Sequence, residues 1–352
     1  MKLLVLPGDG IGPEIVSATT AVLEAADRRF ALGLRYLCRD MGLKTLAAQG
    51  TTLPHDLLDL ARAHDGVLLG PISHLDYPAR DQGGINVSAA FRVGLDLYAN
   101  IRPARTRAGV SHRGTDMDLV IMREATEGMY PDRNMLVGTG EYMPVEGVAI
   151  SMRKVTWQAS ERIARASFEL ARKRRRKVTA VHKANAFVVT DGLFLKAVRR
   201  VAAQYPDVAL EEELVDAMAA LLVRDASQYD VICTTNFYGD ILSDLVSELS
   251  GSLGLAGSLN AGDSLAAAQA QHGSAPRIAG QDRANPTSMI QSAAMLLDWY
   301  GAHADRPGFV AAAEAIHRAV DAVLEHPQLV TADLGGPLGT RAYTAEVIAR
   351  LS

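Results

Sequence analysis

Thr234 to Leu245, which read TTNFYGDILSDL, decide the fold class of this 352-residue chain. They follow the apolar run Val231 to Cys233, which is typical of a buried strand. Asn236 can cap a helix, and Gly239 permits the close approach of a neighbouring segment. From Asp240 onward the apolar residues recur at helical spacing, namely Ile241, Leu242, Leu245, Val246 and Leu249. This stretch therefore predicts a buried strand that leads directly into an amphipathic helix.

Two carboxylates, Asp240 and Asp244, lie four residues apart in this predicted helix and therefore project from one face. Because like charges one turn apart repel, such a pair usually has a cation between its members, and carboxylate oxygens suit Mg²⁺ or Mn²⁺. The alternative is that both are solvated acids near the positive end of the helix dipole. The pair alone slightly favours the solvated alternative, and the residues described below reverse that preference.

The composition is typical of a folded protein without a strongly charged partner. A length of 352 residues predicts about two domains. A content of 48% hydrophobic and 22% charged residues is typical of a soluble globular protein with a large core. The formal net charge of −4 gives no electrostatic reason to expect a nucleic-acid partner.

The cysteines indicate a reducing compartment, and the apolar runs give no sign of a signal peptide or a membrane span. Cys38 and Cys233 are far apart and neither belongs to a CxxC pair, so a disulfide framework or a zinc site is not supported. The run from Met1 to Leu6 is too short for a signal peptide and is followed by Pro7 and Gly8. No run approaches the length of a membrane-spanning helix. We therefore expect a cytoplasmic protein with no membrane partner.

The N-terminal turn looks like a nucleotide-binding loop but lacks its third glycine. Lys2 to Leu6 is typical of a buried strand, and Gly8 to Glu14 (GDGIGPE) is a turn that opens a helix. In the GxGxxG fingerprint of a Rossmann fold the third glycine would be residue 13, which is Pro13. The acidic residue expected about twenty positions later is also not evident. The turn therefore predicts a loop that can approach a ligand, not a Rossmann dinucleotide site.

The rest of the chain alternates helical and strand patterns. Helices are predicted at 13–29, 54–64, 87–95, 156–175 and 287–299, and strands at 66–70, 97–102, 118–122 and 178–181. Pro103 is predicted to end the strand before it. Residues 131–150 have few helix signals and predict a flexible lid or an arm that packs elsewhere. The basic run from Arg172 to Lys177 allows a nucleic-acid patch, but a solvated cationic helix end is favoured.

Five motifs in a fixed order carry a resemblance to one family. They are residues 96–103 (DLYANIRP), 123–130 (REATEGMY), 183–185 (KAN), 236–244 (NFYGDILSD) and 272–276 (HGSAP). Together with residues 6–14 and 333–336 they extend over nearly the whole chain, and chance does not supply such a set. The sequence resembles the isocitrate/isopropylmalate dehydrogenase family, whose members are metal-dependent β-decarboxylating dehydrogenases.

The resemblance implies a two-domain α/β isopropylmalate dehydrogenase-like fold with a continuous mixed sheet, not a Rossmann fold. One domain would take both chain ends, residues 1–97 and 250–352, and would lie on the cofactor side. The other would take residues 98–249 and hold the dimer interface, the substrate and the metal. An arm at about 131–152 would embrace the partner subunit, and the homodimer would share its active sites between subunits.

The implied reaction is oxidation of a 3-substituted malate at C2, followed by loss of CO₂. The arginines of this family that bind substrate match Arg92, Arg102 and Arg123, and guanidinium groups are the best bidentate donors to carboxylates. A divalent ion, Mg²⁺ or Mn²⁺, would polarise the C2 oxygen and hold the charge left after decarboxylation. Its implied ligands are Asp240, Asp244 and, contributed across the dimer, Asp216. Further substrate-binding positions match Asn86, Ser88 and Asn185.

Two residues are implied to transfer protons. Lys183, again contributed across the dimer, matches the lysine that takes the proton of the C2 hydroxyl, and a neighbouring cation can lower the pKa of a lysine for that role. Tyr130 matches the residue that protonates the enolate carbon. Taken alone, the two would be interpreted as a surface lysine and a packing tyrosine. Their places in the order of the family motifs favour the catalytic roles.

A nicotinamide cofactor is implied by residues that match the adenosine-binding positions of the family, namely His272, Gly273, Ser274, Ala275, Pro276 and Asn285. NAD-using members usually carry Asp after this loop, where it accepts hydrogen bonds from the ribose hydroxyls. This chain has Arg277, which cannot accept a hydrogen bond and attracts a 2′-phosphate. NADP-using members tend to have Lys-Tyr at this pair, whereas this chain has Arg277 and Ile278, so NAD and NADP both stay open. Gln269 replaces a usual Glu, which leaves the nicotinamide contacts open as well.

The residues before Arg92 leave the choice of acid open. Isopropylmalate enzymes tend to have leucines there, which bury an apolar branch. Isocitrate enzymes tend to have Ser and Asn where this chain has Asn86 and Ser88, so the polar pair is present but exchanged. The acids that stay open are 3-isopropylmalate, isocitrate, homoisocitrate and malate or tartrate. Ala125 is a further departure, because Asn is common at that position.

The alternative function is a catalytically silent regulatory subunit of a hetero-oligomeric dehydrogenase. Silent relatives tend to lose the tyrosine, the lysine or a metal aspartate, and this chain keeps all of them. The sequence therefore favours an active NAD(P)-dependent dehydrogenase.

Overall fold

The structure is a computed structural model that describes residues 1–135 and 138–351. Within these residues the strands are β1 Lys2–Leu6, β2 Arg35–Cys38, β3 Gly66–Leu69, β4 Ala99–Arg105, β5 Asp118–Glu124, β6 Glu141–Val145, β7 Val148–Ser151, β8 Lys177–His182, β9 Ala209–Leu214, β10 Val231–Thr234, β11 Leu259–Ala261 and β12 Ala266–Gln269. The α-helices are α1 Gly12–Phe30, α2 Leu43–Gln49, α3 Leu57–Arg62, α4 Val87–Gly94, α5 Trp157–Arg172, α6 Thr190–Ala202, α7 Val215–Asp225, α8 Asn236–Leu249, α9 Thr287–His303, α10 Pro307–Leu324 and α11 Thr340–Ala349. None of the helices in this described part of the chain has the length and apolar composition needed to cross a bilayer.

The first of two compact units, unit 1, comprises Met1–Leu95, Arg107–Ser111 and Gly251–Ser352. Its strands are ordered β2-β1-β3-β12-β11. Strand β1 is parallel to β2 and to β3, β12 is parallel to β3, and β11 is antiparallel to β12. Every residue of β3 is buried, as its unbroken apolar run predicts for a strand covered on both faces.

Unit 2 comprises Asp96–Thr106 and His112–Ser250, and its larger group of strands is ordered β4-β5-β10-β8-β9. Strands β5, β10, β8 and β9 are parallel, and β4 is antiparallel to β5. The expected α/β fold with a mixed sheet is therefore confirmed. The strand predicted at Val231 to Cys233 is also present as β10, and it leads into α8.

Helices cover both faces of the unit 2 strands. Val120 and Met122 of β5 belong to an apolar cluster with Phe168 of α5. Leu119 and Ile121 of the same strand belong to a second cluster, which includes residues of α7 and α8. Because successive side chains of a strand point to opposite faces, β5 is buried on both sides. Its polar side chains therefore lie at its two ends, Asp118 at the start and Arg123 and Glu124 at the carboxyl end, where sites of α/β proteins form.

Strand β4 continues through Pro103, so the prediction that this proline ends the strand is wrong. Pro103 lies opposite Val120, whose N–H donates to the carbonyl of Asp230 at 2.8 Å, away from β4. In such an antiparallel pair both N–H groups point away from the partner strand. The missing N–H of Pro103 therefore costs no hydrogen bond between β4 and β5.

The basic run at the end of α5 is bonded to acids of unit 2. Arg172 pairs with Asp207 at 2.6 Å, and Nε of Arg174 pairs with Oδ1 of the buried Asp230 at 2.7 Å. These guanidinium groups tie the end of the helix to neighbouring loops. The pairs favour the interpretation as a helix end over the interpretation as a nucleic-acid patch.

Residues 141–151 form an exposed antiparallel hairpin of β6 and β7, within the stretch at about 131–152 that is predicted to be an arm. The strands are joined by Glu146 and Gly147, and Gly147 has a φ of 79°, which suits a two-residue hairpin turn. Large apolar side chains are exposed along it, namely Tyr142, Met143, Val145, Val148 and Ile150. Residues 136 and 137 of the predicted arm lie outside the described residues.

Candidate active site

The junction of β10 and α8 forms the centre of the site. Thr235 occupies the position before the helix, so the prediction that Asn236 caps α8 is wrong. Asn236 is the first helical residue, and its buried side chain is bonded elsewhere. A β-carbon at residue 239 would come within 2.6 Å of Cγ of Arg123. The predicted close approach at Gly239 is therefore confirmed, and the neighbour that it admits is an arginine.

Arg123, near the carboxyl end of β5, is held by the side-chain amide of Asn236. Its Nε and Nη2 donate to Oδ1 of Asn236 at 2.9 and 2.6 Å, and Nδ2 of Asn236 donates to the carbonyl of Glu127 at 2.7 Å. The side chain is 2% exposed, and Nη1 forms an ion pair with Asp240. Burial, together with the nearby Arg102, lowers the pKa of Arg123 to about 10. The guanidinium therefore keeps its charge at neutral pH and acts as a fixed cation beside Asp240.

Arg102 of β4 lies between the two acids of α8. Its Nη1 donates to Oγ of Ser243 at 2.7 Å, and it lies 3.2 Å from Oδ1 of Asp240 and 3.5 Å from Oδ1 of Asp244. The repulsion between two acids one turn apart is therefore offset by a guanidinium of the same chain. The side chains of Asp240 and Asp244 are 37% and 55% exposed, so both carboxylates are accessible to a ligand.

Tyr130 donates its hydroxyl to the other oxygen of Asp240, Oδ2, at 2.5 Å. Its ring centroid lies 4.9 Å from Cζ of Arg133, and the ring meets Phe237 edge-on at 6.1 Å. Burial raises the pKa of Tyr130, so its phenol keeps its proton at neutral pH. Tyr130 and the two guanidinium groups described above all contact Asp240, which brings together four of the residues predicted from sequence.

The turn that carries Tyr130 is fixed by two buried carboxylates. Glu124 accepts hydrogen bonds from the N–H groups of Thr126 at 3.0 Å and of Glu127 at 2.9 Å. Glu127 accepts one from the N–H of Thr156 at 2.6 Å, and burial raises the pKa of Glu127. Because these bonds join the turn to the start of α5, they fix the backbone from which Tyr130 projects.

Lys183 and Asp216 form a second cluster in unit 2. Nζ of Lys183, directly after β8, lies 2.7 Å from Oδ1 of Asp216 in the first turn of α7, and this hydrogen bond lowers the pKa of Asp216. Asn185 lies exposed in the turn after Lys183. Among the residues that the structure describes, no three or more His, Cys, Asp or Glu side chains are arranged to hold a metal ion. The described chain therefore does not by itself gather Asp216, Asp240 and Asp244 into one centre.

In unit 1, the first turns of α4 carry three predicted substrate residues. Asn86 caps the helix by accepting a hydrogen bond from the backbone N–H three residues later at 3.0 Å. Nε2 of Gln269 donates to Oγ of Ser88 at 2.6 Å, and Nε of Arg92 donates to Oδ1 of Asn260 at 2.9 Å. These bonds tie α4 to β11 and β12, and they give Gln269 a defined partner in Ser88.

The loop at residues 272–276 packs against the N-terminal turn of unit 1. The N–H of Ile11 donates to the carbonyl of Ser274 at 2.8 Å, and Oγ of Ser274 lies 2.7 Å from Oγ of Ser73. A β-carbon at Gly10, where φ is 56°, would come within 2.0 Å of the Ser274 carbonyl oxygen. Glycine is therefore required at residue 10 for this contact, since any side chain would push the loop away.

The loop and its neighbours present polar groups that suit an adenine nucleotide. Burial lowers the pKa of His272, so its imidazole is neutral, and its Nδ1 lies 2.9 Å from the carbonyl of Gly273. Nε2 of His272 is buried without a hydrogen-bond partner among the described residues. Nδ2 of Asn285 donates to Oδ2 of Asp333 at 2.9 Å, and Arg277 is exposed. A neutral acceptor, an amide and an exposed cation are the groups that could hold a base and a phosphorylated ribose.

Sequence reasoning misses residues that hold the predicted ones in place. The buried Asp9 accepts hydrogen bonds from the N–H groups of Leu43 and Ser73 at 2.8 and 2.9 Å and from the hydroxyl of Tyr77 at 2.5 Å, and so fixes the N-terminal turn. Asn236 plays the same part for Arg123. The available signal is a polar residue beside an apolar strand or between glycines, and that pattern is too common to identify a role.

A sequence model described as isocitrate/isopropylmalate dehydrogenase matches residues 2–351. The chain belongs to the isocitrate/isopropylmalate dehydrogenase family. The resemblance carried by the sequence motifs is therefore confirmed. The protein is therefore a dehydrogenase that oxidises a hydroxy acid with decarboxylation. Family membership also implies, in general, a nicotinamide cofactor and a divalent metal ion.

Individual relatives align with nearly the whole length of the dehydrogenase. It is 37% identical over 346 residues to a 3-isopropylmalate dehydrogenase of Sulfurisphaera tokodaii, with 98% of each chain covered. It is 40% identical over 352 residues to an isocitrate/homoisocitrate dehydrogenase of Thermus thermophilus, with 99% of this chain and 98% of the relative covered. Among solved structures, isocitrate dehydrogenase from Methylococcus capsulatus superposes with a TM-score of 0.88 at 39% identity, with 99% of both chains covered.

Proposed function

We propose that this dehydrogenase oxidises a 3-substituted malate at C2 with NAD or NADP and decarboxylates it with Mg²⁺ or Mn²⁺. The proposal is carried by the contacts at Asp240. Two buried guanidinium groups, from Arg102 and Arg123, and the hydroxyl of Tyr130 all bond to its carboxylate. A cluster of this kind combines cations that bind an acid with a group that can return a proton to carbon.

The acid would be bound by arginines that are already oriented. Arg92, Arg102 and Arg123 would donate to its carboxylates, because guanidinium forks match carboxylate geometry. Arg102 and Arg123 are buried and bonded to neighbours in unit 2, so they lose little side-chain freedom on binding. Further polar contacts would come from Asn86, Ser88 and Asn185.

The divalent ion would be held by Asp240 and Asp244, with Asp216 supplied by a second subunit. Exposed carboxylate oxygens one turn apart are the ligands that Mg²⁺ and Mn²⁺ prefer. Two such residues leave room for a further ligand, which a second subunit would supply. When bound, the ion would supply Lewis-acid polarisation of the C2 oxygen and neutralise the charge that develops there.

Two residues would move protons. Nζ of Lys183 would take the proton of the C2 hydroxyl, and the hydroxyl of Tyr130 would protonate the enolate carbon after CO₂ leaves. The raised pKa of Tyr130 keeps that proton in place until it is needed. Lys183 and Asp216 lie together in the free chain, 2.7 Å apart, so one subunit would contribute both to the site of the other.

The active form would be a homodimer. Two sets of exposed apolar residues support this proposal. The first lies on the hairpin of β6 and β7, and the second consists of Val223 of α7 and Ile241 of α8, which are 55% and 51% exposed. Exposed apolar patches of this kind mark protein interfaces. A second copy would cover them. Residues 98–249 would then form the dimer and metal domain, and residues 1–97 with 250–352 the cofactor-side domain.

The proposal is tested with a panel of acids assayed with Mn²⁺ and with NAD⁺ or NADP⁺, followed by the absorbance of the reduced nicotinamide. The panel contains 3-isopropylmalate, isocitrate, homoisocitrate, malate and tartrate. Asn86 and Ser88 favour an acid with a polar substituent. Each accepts a hydrogen bond within unit 1, but the amide N–H groups of Asn86 and the hydroxyl hydrogen of Ser88 are donors that an apolar branch could not use. A folded chain that turns over none of the acids would contradict the proposal and favour the regulatory-subunit alternative.

Arg277→Asp is expected to shift the cofactor preference toward NAD⁺. The aspartate would accept hydrogen bonds from ribose hydroxyls and repel a 2′-phosphate, so we expect the ratio of kcat/KM for NADP⁺ over NAD⁺ to fall at least about tenfold. Arg283→Asp, an exposed change of equal charge nearby in sequence, is the control. An unchanged ratio in the Arg277 variant would mean that this residue does not contact the ribose.

A further inference from the structure

The loop that carries Lys183 is held by a buried carboxylate. The backbone N–H of Lys183 donates to Oδ2 of Asp191 at 2.5 Å, and the side chain of Asp191 is 0% exposed. Asp191 stands in the first turn of α6. Between the two residues, the N–H of Phe187 donates to the Lys183 carbonyl at 2.8 Å, and the N–H of Asp191 donates to the Phe187 carbonyl at 3.0 Å. The carboxylate therefore closes a short loop whose first residue is the lysine.

The charge of Asp191 is balanced by one arginine. Nη1 of Arg153 lies 2.6 Å from Oδ1 of Asp191, and the side chain of Arg153 is 9% exposed. Nη2 of Arg153 donates to Oγ1 of Thr235 at 3.2 Å, and the hydroxyl of Tyr238 donates to Oδ2 of Asp191 at 3.2 Å. The guanidinium also lies over the ring of Phe187, 5.2 Å from its centroid. Every one of these partners belongs to unit 2.

Stability alone is a poor explanation for this ion pair. Taking two charges out of water costs free energy that their attraction often fails to repay, and apolar residues of equal size frequently stabilise a protein as well. What the pair provides is an acceptor at one fixed place, directed at the N–H of Lys183. Arg153 comes two residues after β7, so the same carboxylate is also joined to the base of the hairpin.

We propose that Asp191 is a positioning residue for Lys183. Its carboxylate fixes the backbone from which the lysine side chain projects, while Asp216 bonds to the ammonium at the other end. Arg153 holds the carboxylate in place and joins it to the hairpin. This inference rests on the proposed function, in which Lys183 takes the proton of the C2 hydroxyl.

Two substitutions at Asp191 separate positioning from charge. In Asp191→Ser the serine side chain is too short to reach the N–H of Lys183. We expect kcat to fall about thirtyfold while KM for the acid changes less than about threefold. Asp191→Asn/Arg153→Met keeps an oxygen acceptor for the Lys183 N–H and removes both charges, and without the guanidinium the amide NH2 does not face a second donor. Its kcat should therefore stay within about fivefold of the unsubstituted enzyme. If this pair loses as much kcat as Asp191→Ser, the contact with the Lys183 N–H is not what matters and the proposal is overturned.

Tyr238→Phe is the matched control, because it removes a different hydrogen bond to the same oxygen and leaves the bond from Lys183 in place. Its kcat should stay within about twofold of the unsubstituted value. If Asp191→Ser does not fold, the pair Asp191→Ser/Arg153→Met takes its place, since it removes both charges and leaves no stranded guanidinium. The same fall in kcat is expected for the pair, and an unchanged kcat in whichever of the two folds would overturn the proposal.

The decisive measurement repeats Asp191→Ser in a Lys183→Met background. A residue that acts only through Lys183 should then lower the residual turnover no further, because coupled residues are not additive. A further fall of about thirtyfold would show that Asp191 acts by another route and would overturn the proposal. If Lys183→Met alone leaves kcat unchanged, the role of Lys183 in the proposed function is wrong. If Lys183→Met lowers kcat and Asp191→Ser does not, the proposed function stands and only the positioning role of Asp191 is refuted.

Discussion

Lys183→Met is expected to lower the turnover number of the dehydrogenase by more than about a hundredfold. Methionine keeps the length and the apolar stem of the side chain but has no group that can take a proton. Since the loss concerns proton transfer, KM for the acid should change much less than kcat. The measurement is steady-state kinetics with the best acid and cofactor from the substrate panel.

Lys196→Met provides the matched control for this experiment. Lys196 is exposed on α6, so the same change of residue type is made outside the site. Its kcat should equal that of the unsubstituted enzyme. If Lys183→Met is as active as Lys196→Met, Lys183 is not the proton acceptor.

Tyr130→Phe is expected to lower turnover by a similar factor, more than about a hundredfold, because it removes one proton donor. Phenylalanine preserves the ring beside Arg133 and Phe237, so packing is retained. It also removes the hydroxyl bonded to Asp240 at 2.5 Å. Because the ring packing is retained and Asp240 keeps Arg102 and Arg123 as partners, thermal unfolding of the variant should stay close to that of the unsubstituted enzyme while turnover is lost.

Tyr300→Phe is the control for the loss of a tyrosine hydroxyl. Tyr300 lies on α9 in unit 1, where its ring packs edge-on against Phe309 with 4.9 Å between centroids. We expect full turnover from this variant. Full turnover from Tyr130→Phe as well would refute its assignment as the proton donor.

Local patterns were sufficient to predict the strand and the helix at the centre of the candidate site, but not the roles of its acids. The strand before α8 and the one-turn spacing of Asp240 and Asp244 follow from periodicity, which depends on neighbours in sequence alone. Asn236 shows where this kind of reasoning ends. Its amide binds Arg123, 113 residues away, and an amide beside a helix start is equally suited to capping. Only the folded sheet, in which β5 and β10 are adjacent, selects between the two roles.

The hairpin at 141–151 is a different case, because a signal for it was present. Glu146 and Gly147 separate two short apolar-containing segments by two residues, which is the spacing of a tight hairpin. The signal is weak, since Glu-Gly is a less common turn pair than Asn-Gly or Asp-Gly. At Pro103 a signal was given too much weight. The proline was predicted to end its strand, but a proline is compatible with a strand when its nitrogen faces away from the paired strand.

Gly239 has a consequence for how this site can vary. In an isolated helix, alanine would be favoured over glycine by about 1 kcal/mol, so α8 is locally weaker than it could be. The methyl group of alanine would nevertheless collide with the stem of Arg123, at 2.6 Å from Cγ, and would displace its guanidinium from Asp240. A residue with no reactive atom is therefore as restricted as the residues proposed to bind the substrate acid, and what restricts it is volume.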